Sequence, residues 1–274
     1  MFTKITDWDD AYANGAYIEA AEDYPAAWAR AAQEFRQQMT AAGLAEIDIA
    51  YASGERQRLD MFRPQAESRG LVVFIHGGYW RAFDKSFWSH LAAAATQSGW
   101  TVAMPSYELA PTVSISEISR QMGTAIDKAA SLVDGPIRLS GHSAGGHLVT
   151  RMICQDSPLA TDVTKRIERV VSISGLHDLR PLLKTAMNDD FRMDESEAEA
   201  ESSALNRPID NVELVCWVGA DERPEFIRQS ELLANIWTGF GIKSSVRRAK
   251  GQHHFNVIDG LADTDSALAR ALLK

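Results

Sequence analysis

An apolar strand that runs with no spacer into a glycine–serine–glycine turn fits few folds, and residues 136–149, PIRLSGHSAGGHLV, contain one. The turn reads G-x-S-x-G, with Gly141, Ser143 and Gly145. A serine at a sharp strand-to-helix junction is held exposed. It needs glycines two residues before and after because side chains there would collide. The helix that follows points its N-terminus at the serine and favours negative charge developing beside it. Taken alone, the pattern also suits a glycine-rich helix entry. Its place directly after a buried strand favours a nucleophile.

The rest of the chain supplies the context. Short apolar strands are expected at 71–75, 100–105, 136–140, 167–175, 212–219 and 243–249. Helical periodicity fills 86–98, 113–133, 143–155, 224–238 and 255–273 between them. Strands alternating with helices predict βαβ units and a mostly parallel, doubly wound central sheet with helices on both faces. Two alternating segments, 46–52 and 58–64, joined by a turn at Ser53-Gly54, predict an antiparallel leading hairpin on one edge. Residues 8–43 read as helical, with Trp28, Ala32 and Phe35 on one face and Pro25 in a tolerant first turn. No repeat, linker or second composition regime appears, so 1–274 reads as one α/β domain with an N-terminal helical segment, 1–45. The insertion 178–210 carries the acidic MDESEAEAESSA. It reads as a solvated helix face, or as a small cap over a site.

A serine hydroxyl needs a base to take its proton. In the α/β-hydrolase architecture, nucleophile, acid and base follow in chain order. The base is therefore expected in KGQHHFNVIDGL, after the last strand. His254 is preferred over His253 because it directly precedes Phe255 and the helix. His76 is expected to hold its own loop by hydrogen bonding, and His90 and His177 to serve surface or packing roles. His142 and His147 lie in and just after the turn, badly placed to face the hydroxyl. The acid is expected in VCWVGADERPEF, after the penultimate strand. Three residues past the strand-end glycine gives Glu222. Asp221, the more usual residue type, lies one place early and stays open. Oxyanion donors are expected from the amide of Ala144 and from HGGYW at 76–80, where Gly77 shapes the turn and Gly78 and Tyr79 donate.

Several function classes are excluded or disfavoured. A net charge of −9 argues against a nucleic-acid partner. No uncharged run approaches the ~18 residues of a membrane helix. The N-terminal MFTKITDWDD has no apolar core of a leader, so a soluble cytoplasmic protein is expected. Cys154 and Cys216 have no CxxC spacing and read as buried small hydrophobes. Adjacent His253 and His254 lack a third ligand spacing, so no metal is expected. No organic cofactor is required either.

HGGYW, GHSAGGHL, SGLHDLRPLL, PEFIRQS and HHF together resemble the kynurenine formamidase (arylformamidase) branch of the α/β-hydrolase superfamily, near the hormone-sensitive-lipase-like esterases. The resemblance runs from about residue 50 to the C-terminus. It implies Ser143 as nucleophile, His254 as base and the acid at the Glu222 position, where the family usually has aspartate. It also implies hydrolysis of N-formylkynurenine to kynurenine and formate, in tryptophan degradation. The partner implied is thus a small-molecule aryl formamide, or an ester or thioester in the related esterases. A homodimer stays open. Tyr79, Trp80, Phe83, Phe87 and Trp88 follow the oxyanion loop. Trp80, Phe83 and Trp88 are expected either to line an aryl pocket or to pack beneath the loop.

Overall fold

The computed structural model describes residues 4–274. The first three residues of the stretch read above as lacking a leader lie outside it. An eight-stranded sheet runs β1 (Ala45–Ala50), β2 (Arg58–Phe62), β4 (Thr101–Pro105), β3 (Leu71–Ile75), β5 (Ile137–His142), β6 (Ile167–Ile173), β7 (Glu213–Gly219), β8 (Lys243–Ala249). The leading hairpin β1–β2 is antiparallel and joins β4 in antiparallel fashion. Every pairing from β4 to β8 is parallel. This is the mostly parallel sheet with an antiparallel leading edge that the alternating pattern predicts.

Why these segments are strands follows from their two buried faces. LVVFI and TVAMP are buried at every position, as parallel strands covered on both sides require. Their side chains alternate between two cores. Leu71, Val73 and Ile75 join one with the Ile115–Ala130, Ala144–Arg151 and Pro224–Thr238 helices. Val72 and Phe74 join the other with Trp28, Trp88 and the C-terminal Leu268 and Leu272. Each fully buried aliphatic side chain contributes about 1.5–3 kcal/mol of transfer free energy. The edge strand KSSVRRA is open to solvent and carries the charge that discourages edge-to-edge pairing. Cys154 and Cys216 are buried and unbridged, as expected.

Three expected helices are shorter or broken. Residues 86–98 form two 3-10 turns and a short helix, Ala93–Gln97. Trp88 lies at the junction, pinned into the aromatic core, and the guanidinium of Arg36 holds Ser89 Oγ from across the layer at 2.8 Å. The C-terminal 255–273 reduces to the Asp259–Ala262 turn and the helix Ala267–Leu273, which Ser266 caps by accepting from the amide of Ala269. The N-terminal segment breaks at Asn14-Gly15 between Trp8–Tyr12 and the long helix Tyr24–Ala41, with Pro25 in the first turn as expected. The 178–210 insertion folds as four short helical turns. Its acidic run is partly solvated, but Glu201 is buried against Arg151 and Ser119. Among the described residues no helix is long and apolar enough to cross a membrane.

The topology decides where chemistry can gather. β3 connects to β4 on one side, and the chain then crosses to β5 on the other. Ligands bind at such switch points, beyond the carboxyl ends of the strands. Ile75 pairs with Gly141. The loops leaving β3 and β5 therefore open side by side.

Candidate active site

The turn after β5 is as tight as its glycines imply. Ser143 has φ 55° and ψ −116°, a left-handed conformation that non-glycine residues rarely adopt. A Cβ on Gly141 would stand 2.2 Å from the carbonyl oxygen of Gly145. One on Gly145 would stand 2.0 Å from the carbonyl oxygen of Ile75. Both are inside backbone contact limits, so only glycine fits. The helix Ala144–Arg151 begins immediately after the serine.

The HGGYW loop presses against this turn. A Cβ on Gly77 would come within 3.0 Å of Ser143 Cβ. Gly78 has φ 107° and Tyr79 φ 48°, so the chain turns back on itself here. The amides of Gly78, Tyr79 and Ala144 donate to no acceptor among the described residues. They remain available to an oxyanion. His76 behaves as a loop holder. Its Nδ1 donates to the carbonyl of Gly77 at 2.7 Å, and its ring stacks on Tyr107 at 4.4 Å. Burial pushes its imidazole down to about 4, so it stays neutral.

The candidate base and acid come from the ends of β8 and β7. His254 Nδ1 donates to Glu222 Oε2 at 2.6 Å, and the carboxylate side chain is fully buried. Glu222 Oε1 accepts from Ser174 Oγ at 2.5 Å and from the amide of Gly219 at 2.7 Å. Asp221 is exposed, and its amide donates to the carbonyl of Gln252. Of the two candidate acids, the structure brings Glu222 to His254. His253 turns away from the cavity to Tyr24 Oη at 3.1 Å. His142 lies behind the base, its Nε2 donating to the carbonyl of His254 at 2.9 Å with the rings 4.6 Å apart. Burial holds His142 well below its ordinary range and therefore neutral. His177 is buried against Thr150 and Ser172, and burial pushes it to about 3. His90 is likewise pushed to about 4 by burial.

A cavity of about 610 Å³ opens over Ser143, His254, Gly78 and Tyr79. Phe83 and Trp88 line it, the first of the two places expected for them. Trp80 does not: its pocket role is corrected to the alternative, packing beneath the loop. With φ 56° its side chain is turned inward, fully buried, edge-on to His147 at 5.2 Å and Phe191 at 5.5 Å. Two features escaped the sequence reading. Residues from Asp9 to Trp28 form one wall of the cavity, whereas of the 178–210 insertion Met187 is the described residue that reaches it. Trp28 packs 4.7 Å from Trp88 and 5.4 Å from Phe255. The apolar face holding Trp28 was visible in sequence, but not what it covers. Ser174 is the second feature. It opens the SGLHDLRPLL motif, and no local pattern connects it with a residue 48 positions later.

The family described as BD-FAE matches residues 59–231. A kynurenine formamidase from Salmo salar is 31% identical over 248 residues, covering 85% of this chain and 83% of its own. One from Danio rerio is 30% identical, covering 83% of this chain and 80% of its own. Among solved structures, a crystal structure named a "putative thioesterase" from Silicibacter sp. TM1040 is 48% identical, with a TM-score of 0.94. That match covers 98% of this chain and 99% of the other.

Proposed function

This chain belongs to the BD-FAE family, within the kynurenine formamidase-like branch of the α/β-hydrolases, and we propose that it hydrolyses an aryl formamide through a Ser143–His254–Glu222 triad. The observation carrying this reading is the 2.6 Å contact of buried Glu222 with His254 Nδ1 on the cavity that Ser143 also lines. Glu222 holds the proton on Nδ1 and so leaves the Nε2 lone pair for the hydroxyl of Ser143. Ser143 Oγ attacks the formyl carbon as Nε2 takes its proton. The amides of Gly78, Tyr79 and Ala144 receive the oxyanion, each such donor being worth roughly 10²- to 10³-fold in rate. The tetrahedral intermediate collapses as His254 returns the proton to the departing amine. Water, activated by the same imidazole, then releases formate from the acyl-enzyme.

The aromatic wall of Trp28, Phe83, Trp88 and Phe255 supports an aryl leaving group, and the cavity volume suits one small molecule. With the curated relatives, this favours N-formylkynurenine, placing the reaction in tryptophan degradation. In this reading the described chain is one catalytic domain, and the Asp9–Trp28 wall caps its site. A second reading, a short-chain thioesterase, is favoured by the 48% identical structure and its name. Comparing kcat/KM on N-formylkynurenine, p-nitrophenyl acetate and a short acyl thioester separates the two. The formamide reading requires the highest value for N-formylkynurenine. A thioester value tenfold above it would replace formamidase with thioesterase.

A further inference from the structure

We infer that Ser174 is a positioning residue that fixes the triad acid, an inference that rests on the triad proposed above. Ser174 stands at the end of β6, one strand over from the nucleophile, fully buried and with φ 51°. That backbone suits glycine, and a non-glycine residue is strained there. Its amide is satisfied by the carbonyl of Trp217 at 2.7 Å, which asks for no side chain. What a glycine could not supply is the hydroxyl, and the hydroxyl donates to Glu222 Oε1 at 2.5 Å. The other polar groups of the SGLHD stretch have partners elsewhere: His177 with Thr150 and Ser172, Asp178 with Arg180.

The geometry gives that bond a specific task. Oε1 is gripped by two donors, Ser174 Oγ from the end of β6 and the amide of Gly219 from the end of β7. Two donors from different strands fix the plane of the carboxylate and leave Oε2 for His254 Nδ1. A glutamate has one more rotatable bond than an aspartate, so it needs a second anchor to present one oxygen reproducibly. The ionisable groups facing the pair are His142 on the nucleophile turn, His253 beside the base and Tyr79 on the oxyanion loop; Asp221 is exposed and acts on His253. Among the described residues none of these donates to Glu222, so the hydroxyl has no understudy.

The test is Ser174→Ala with Ser174→Gly, each alone and with Glu222→Gln, assayed on p-nitrophenyl acetate against pH with Tm recorded. Ser174→Ala should lower kcat roughly 10- to 100-fold, the scale of one hydrogen bond to a charged group, and change KM less than about threefold. The acid limb of kcat/KM should move to higher pH, because carboxylate charge no longer shared with the hydroxyl falls on the charged imidazole. Ser174→Gly should lose as much activity with a smaller fall in Tm than Ser174→Ala, since the same bond is lost but backbone strain is relieved. In the Glu222→Gln background the further loss should stay within about threefold. The inference is overturned if both single variants keep kcat within about threefold of wild type. It is also overturned if activity merely tracks Tm, or if the loss is undiminished beside Glu222→Gln. Should Ser143→Ala keep wild-type activity, the triad reading itself falls and takes this inference with it; an inactive Ser143→Ala beside a fully active Ser174→Ala sinks the inference alone.

Discussion

Glu222→Gln exchanges one oxygen for an NH₂ in a pocket that sorts the two atoms strictly. The Oε1 position receives hydrogen bonds from Ser174 Oγ and the Gly219 amide. Only an acceptor can sit between two donors, so the glutamine carbonyl takes that place and its NH₂ faces His254 Nδ1. Nδ1 must then accept, the ring proton moves to Nε2, and the lone pair that should deprotonate Ser143 is gone. A wrong-tautomer substitution of this kind in a serine protease lowers kcat about 10⁴-fold, or about 5 kcal/mol. The fully buried side chain leaves no solvent to screen the error. Glu222→Gln is therefore expected to lose roughly 10³- to 10⁴-fold in kcat on p-nitrophenyl acetate. Asp221→Asn, altering an exposed residue, is expected to stay within about threefold. Steady-state kinetics on folded protein of matched Tm checks both. The reasoning is refuted if Asp221→Asn falls as far as Glu222→Gln, or if Glu222→Gln retains a tenth of wild-type activity.

Further expectations follow from particular contacts. Gly145→Ala puts a Cβ against the carbonyl of Ile75 and is expected to cost more than about 4 kcal/mol or to prevent soluble expression. Gly43→Ala, with φ 70° but nothing within 4 Å, should cost about 1–2 kcal/mol in urea denaturation. Tyr79→Phe keeps the oxyanion amide but deletes the 2.7 Å bond from Tyr79 Oη to the carbonyl of Tyr12. About 1 kcal/mol of stability should go with it, and KM for aryl substrates should rise more than kcat falls. Acid should destabilise the fold through its buried histidines. Burial depresses His76 and His147 to about 4 and His177 to about 3, against about 6.5 when unfolded. The unfolded chain then binds more protons, so their contribution is present above pH 6.5 and is lost as pH falls through 4. Three such groups give a slope of about 3–4 kcal/mol per pH unit near pH 5. Urea midpoints that stay flat between pH 6.5 and 4.5 would contradict this.

How much was legible in the sequence depended on the range of the force involved. The nucleophile turn was readable because its glycines answer to collisions within a few residues, and the structure places those collisions at 2.2 Å and 2.0 Å. The sheet was readable because strands buried on both faces must be apolar throughout. The proposed acid was readable only to within one residue, since a loop register is set by contacts such as the amide of Asp221 with Gln252, 31 positions apart. Trp80 could be left only between pocket and core for the same reason. Its neighbour Tyr79 reaches the cavity, yet the left-handed backbone at Tyr79 and Trp80 sends the indole into the core. The N-terminal wall was invisible in function because an apolar helix face declares that it is covered, not by what. The long 255–273 helix failed on chemistry that could have been read: Asp263, Asp265 and Ser266 favour turns and caps over helix interiors.

A glutamate as the proposed acid makes sense once the strand ends are considered together. Glu222 follows β7 in a tight turn, its own amide returning to the carbonyl of Gly219. From so close to the strand end the longer side chain spans to the imidazole, and the same turn delivers the Gly219 amide to Oε1. The N-terminal wall is tied into this arrangement at two points. Tyr79 bonds the carbonyl of Tyr12 from the oxyanion loop, and Tyr24 bonds His253 beside the base. The segment that lines one side of the cavity is thus fastened both to the HGGYW loop and to the loop that carries His253 and His254. A displacement of that wall large enough to admit a bulkier leaving group would pull on one anchor or the other. On the proposed mechanism, substrate range and catalytic geometry are therefore properties of one connected structure.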